Sequence, residues 1–60
     1  MSDVIRKLNE LREINPRMYH AINDIFFGYD IERVFLDYDM SIDELKFAVK
    51  FANRLYDEDE

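Results

Sequence analysis

The chain has no cysteine, one glycine, one proline and one histidine among its 60 residues. Without cysteine there is no disulfide staple and no thiolate metal site. A single glycine and a single proline leave too few turn residues for an all-β chain. Long apolar runs are missing as well. The longest reach two or three residues, far short of a membrane span. The first segment, MSDVIRKLNELREI, scatters charges through its apolar residues and so does not read as a signal peptide. A cytoplasmic protein is the expectation.

Basic residues are also few. Eight Lys and Arg face fourteen Asp and Glu, for a net charge of −6. Residues 24–44 carry Asp24, Asp30, Glu32, Asp37, Asp39, Asp43 and Glu44 against Arg33 alone, whereas residues 45–56 carry Lys46, Lys50 and Arg54 with no acid. Nucleic-acid binders need a basic footprint to meet a polyanion, and none of any size is present.

What is abundant is apolar surface: 48% of residues are hydrophobic and 15% aromatic, too greasy for disorder. A chain this short buries only about 60% of its unfolded surface. The composition therefore fits compact helices with more apolar surface than one small core can hide.

Periodicity and capping signals predict four helices. Ser2 is a suitable N-cap for a first helix over 3–14, with Val4, Leu8 and Leu11 on one face and Ile5 at its edge. Asn15-Pro16 supplies an N-cap and a first helical residue for a second helix over 16–27, whose stripe is Met18, Ala21, Ile22, Ile25 and Phe26. Gly28 stands where a left-handed C-cap is wanted. Asp30 caps a short third helix over 31–38 with Ile31, Val34, Phe35 and Tyr38 inward. A fourth helix over 42–56 has Ile42, Leu45, Ala48, Val49, Ala52, Leu55 and Tyr56 on its core arc. Residues 1–56 are thus expected to be one all-α domain, a small three- or four-helix bundle. Residues 57–60, all acidic, are expected to fray, because negative charge opposes the dipole at a helix C-terminus.

The segment FLDYDMSIDEL (35–45) concentrates four carboxylates. Asp37, Asp39, Ser41 and Asp43 alternate as EF-hand ligands do, but Ile42 stands where the loop needs glycine and Ala48 where it needs glutamate. Ser41 and Glu44 instead spell a capping box. The stretch also fits the turn of a helix-turn-helix-like pair, with Phe35, Met40 and Leu45 inward. A recognition helix of that kind would lead with Asp43 and Glu44, which repel phosphate. The sole histidine, His20, falls on an outward face with Asp24 one turn on, and nothing completes a nucleophilic set. No catalytic, cofactor-binding or metal-binding residue is expected, nor a small-molecule substrate or a membrane.

On a wheel anchored at Leu45, Phe47 and Phe51 fall roughly 200° and 240° away, on the side opposite the expected core. Phe27 and Leu36 also lie off their stripes. Exposed aromatics mark association sites, so Phe47, Phe51, Phe27 and Leu36 are the expected protein interface. A second, electrostatic interface is expected along Asp30, Glu32, Asp37, Asp39 and Asp43, in an arc that could mimic a phosphate array. The function expected is that of a small acidic, non-enzymatic interaction module. It would be a regulator or inhibitor of the kind phages and mobile elements carry, acting on a protein partner or as a homodimer. The alternative is a small dimeric helix-turn-helix DNA-binding regulator.

Overall fold

The structure is a computed structural model that describes the backbone of residues 3–58 and the side chains of residues 3–57. The expected Ser2 cap and the last two acids of the tail lie outside these residues. Four helices follow one another: α1 (Asp3–Ile14), α2 (Pro16–Phe26), α3 (Ile31–Asp37) and α4 (Ile42–Glu58), with no strand among the described residues. The fold is an all-α bundle. Asp57 and Glu58, the described part of the acidic tail, belong to α4.

Each junction has a local cause. The Asn15 side chain accepts from the Met18 N–H at 3.3 Å, and Pro16, which has no N–H to leave unpaired, opens α2. α2 ends in a Schellman motif: Tyr29 N–H donates to the Asp24 carbonyl at 3.0 Å and Gly28 N–H to that of Ile25 at 3.1 Å. Gly28 holds φ +94°, which an L side chain rarely adopts. Asp30 then caps α3 by accepting from Glu32 N–H at 2.9 Å. The same motif closes α3, with Met40 N–H donating to Phe35 at 3.1 Å and Asp39 N–H to Leu36 at 3.2 Å. Here the left-handed position is filled by Asp39, at φ 50°. Ser41 and Glu44 form the capping box reciprocally, Glu44 N–H to Ser41 Oγ at 3.1 Å and Ser41 N–H to Glu44 Oε1 at 2.8 Å. FLDYDMSIDEL is therefore one helix stop followed by one helix start.

α2 and α4 form the most extensive packing of the bundle; α1 lies against both, and α3 rests mainly on α2. Ala21 and Ile22 of α2 and Ala48 and Ala52 of α4 are fully buried. Small residues at a crossing let two backbones approach closely, and here they set the rotation of α4. Its buried arc is Ala48, Phe51, Ala52 and Leu55, with Leu45 and Val49 at the edge. That arc is turned roughly 70° from the one centred on Leu45. The turn carries Phe51 inward, to 6% exposure, and leaves Ile42 and Tyr56 exposed, against expectation. Ile31 is likewise exposed, because two-turn α3 covers α2 with Val34, Phe35 and Tyr38 alone.

Candidate protein-interaction face

Of the four expected interface residues, Phe51 is the one the fold removes: α1 covers that side of α4, and the ring becomes core. Phe47 remains 47% exposed, with its ring centroid 5.8 Å from that of Phe51. The buried phenylalanine is thus the floor under the exposed one. The face is completed by α1. The Asn15-Pro16 boundary stops α1 at Ile14, whose side chain is 76% exposed, and Leu11 one turn earlier is half-buried.

Two shallow adjoining grooves run here between α1 and α4. One is lined by Leu11, Asn15, Met18, Asp43, Glu44 and Phe47, the other by Lys7, Glu10, Leu11, Ile14, Phe47 and Phe51. These linings pair the end of α1 with the start of α4, so the two helices run antiparallel. Sequence reasoning missed Leu11 and Ile14 as parts of this surface. The signal was Ile14 extending the Leu8–Leu11 stripe beyond what α2 can cover.

Phe27 and Leu36 are 74% and 71% exposed, as their positions off the stripes imply, but neither joins this face. Phe27 packs edge-on against Phe26 (5.5 Å, 80°), and Phe26 stacks on Tyr56 (4.6 Å, 24°), whose hydroxyl donates to the Phe26 carbonyl at the C-terminus of α2. Tyr56 lies nine residues beyond Phe47 and about 180° around α4. Leu36 sits on α3. The expected apolar interface is therefore three separate places, and the Phe47 place has a groove on both sides of its ring.

The acidic residues do mostly local work. Asp30 caps α3, Asp37 lies 3.9 Å from Arg33 in an exposed pair, and Asp39 supplies the left-handed turn. Glu32 is exposed in the first turn of α3 and Asp43 in that of α4. Among the described residues no group of three or more His, Asp or Glu side chains could hold a metal ion.

A polar clasp ties α2 to the α3–α4 turn. Arg17 donates to the carbonyls of Tyr38 (2.7 Å) and Asp39 (3.1 Å) and to Glu44 Oε2. A basic residue in the first turn of a helix opposes that helix's dipole. Its partners explain it, since the guanidinium meets the negative end of α3 and the capping glutamate of α4. Glu44 is held below the usual glutamate range, first by the Ser41 N–H and also by the Arg17 charge. Asp24 does not pair with His20. It accepts from the Tyr38 hydroxyl at 2.7 Å, and that hydrogen bond, with burial and the Asp24 charge, pushes the Tyr38 pKa up to about 12. His20 is exposed, its ring edge-on to Tyr19 at 5.4 Å and 70°.

Among the described residues no helix is long and apolar enough to cross a membrane. No family model, curated protein or solved structure matches the chain, so no relative lends it a function.

Proposed function

We propose that the chain is a non-enzymatic interaction module, a small acidic regulator that works by presenting the Leu11–Ile14–Phe47 face to a protein. One observation carries this reading: Phe47, half-exposed over a buried aromatic floor, stands beside Ile14, which is three-quarters exposed. Water-facing apolar side chains grouped in one groove and rimmed by charge are what an association site needs. In a domain whose total stability is only a few kcal/mol, covering them also stabilises the fold. A DNA-binding role for α4 has less support. Its leading turn carries Asp43 and Glu44, and Glu44 is already engaged by Arg17. The acidic residues near α3 favour phosphate mimicry less than the groove favours docking, since Asp30, Asp37 and Asp39 each have a local role.

The test compares wild type with Ile14→Asp/Phe47→Asp, both verified as helical by circular dichroism. Proteins retained by the immobilised chain and the solution mass are measured for each. Loss of association in the variant is the expected result. Equal retention and equal mass would overturn the reading.

A further inference from the structure

We propose that the partner this face fits is a second copy of the chain, in an antiparallel α4–α4 pair whose two-fold axis crosses the midline of the exposed α4 strip at the level of Phe47; this rests on the docking role of that face.

The layout of charge along the face carries the inference. On α4, Asp43, Phe47, Lys50 and Arg54 lie within about 60° of one another on the helix wheel, all exposed. Asp43 precedes Phe47 by four residues and Lys50 follows it by three, about 6 Å and 4.5 Å along the axis. The strip therefore has an acidic end, an aromatic centre and a basic end. α1 extends the pattern sideways. Ile14 lies at the Asp43 end and Lys7 towards the Lys50 end, with Glu10 between.

A two-fold contact is isologous: if residue i of one copy meets residue j of the other, then j meets i. Rotating this face by a half-turn about the midline of the strip, at the level of Phe47, brings Asp43 of each copy within side-chain reach of Lys50 of the other, twice per dimer, and sets the two Phe47 rings on either side of the axis. A partner carrying one dominant charge finds no bias here, because the face holds both signs in near balance. The chain as a whole carries −6, and its acid-rich stretch from Asp30 to Asp39 belongs to α3 and its turns, which pack mainly on α2. The area required is modest. A stable dimer needs about 600 Å² from each copy, roughly an eighth of the 4577 Å² the chain exposes, and the strip from Asp43 to Arg54 is about 16 Å long before α1 widens it.

The experiment is sedimentation equilibrium from about 10 μM to 1 mM on wild type, Asp43→Lys, Lys50→Asp, their equimolar mixture and the doubly reversed chain, with helicity checked for each. The expected result is a wild-type dimer that each single reversal weakens about tenfold, two like-charge contacts replacing two opposite ones. The mixture and the doubly reversed chain should each recover the dimer, because positions 43 and 50 then again carry opposite charges where they meet across the axis. Should one single variant fail to fold, the doubly reversed chain still decides. A wild-type monomer at 1 mM would overturn the proposal, as would weakened variants that neither mixing nor double reversal rescues. A monomer whose Phe47→Asp variant loses retention of a different protein overturns the second-copy partner and leaves the docking face standing. A monomer with unchanged retention overturns both.

Discussion

Around α3 the turns are tied across elements: Arg17 spans α2, α3 and α4, and Tyr38 reaches Asp24. At the neighbouring seam, where α1 meets α4, Ile14 and Phe47 face water above a shallow groove. In the first region the helix ends are satisfied by caps and by the arginine, while Ile31 and Leu36 of α3 stay exposed. The second is apolar where a finished surface would be polar. That contrast supports the proposed docking role, because polar contacts account for the first region by stability, whereas Ile14 and Phe47 line a groove.

The contrast can be broken by substitution. The largest effect belongs to Phe51, the floor beneath the open side. Phe51→Ala should cost about 3–5 kcal/mol, the usual loss for a buried phenylalanine, and thermal unfolding should show little folded chain left. An effect below about 1 kcal/mol would mean that the ring is not core. Gly28→Ala comes next, at about 1–2 kcal/mol. An added Cβ meets nothing within 4 Å, so the loss measured by urea unfolding is purely that of the left-handed backbone at φ +94°.

Tyr38→Phe should cost about 1 kcal/mol and alter the response to alkali. The raised Tyr38 pKa means that the folded chain holds this proton more tightly than the unfolded one. Its stabilisation is complete below about pH 10 and declines as pH rises through about 12. A pH titration of stability should show that decline in wild type and lose it in Tyr38→Phe. For Glu44 the sign is reversed. Its pKa is lowered, so its contribution is present above the glutamate range and lost as pH falls through it. The smallest effect sharpens the comparison of the two Schellman endings. Asp39→Gly should raise stability by about 0.5 kcal/mol, by relieving a left-handed aspartate. No gain in urea unfolding would mean that Arg17 already offsets the strain.

Much of the fold was legible because its signals are local. Asn15-Pro16, Gly28, Asp30 and the Ser41–Glu44 box each mark a helix end through chemistry confined to a few residues, and each stands where it was expected. The rotation of α4 was not legible, since it depends on how closely α2 approaches Ala48 and Ala52, a property of two helices together. A wheel anchored on the large Leu45 gave those alanines too little weight, and Phe51 was misplaced as a result. Arg17 escaped notice for the same reason: its partners lie 21 to 27 residues away. Its unfavourable position at the start of a helix was the only trace in the sequence. Half of the open side was legible too, as Phe47, while the α1 half emerges only once Ile14 is seen beyond the reach of α2.

The measurement that tests the account most directly sets Phe47→Asp beside Phe51→Asp, with solution mass and helicity recorded for both. Phe47→Asp is expected to stay helical and lose association, while Phe51→Asp unfolds. An unfolded Phe47→Asp, or a helical Phe51→Asp, would contradict it by exchanging the floor and the face of the groove.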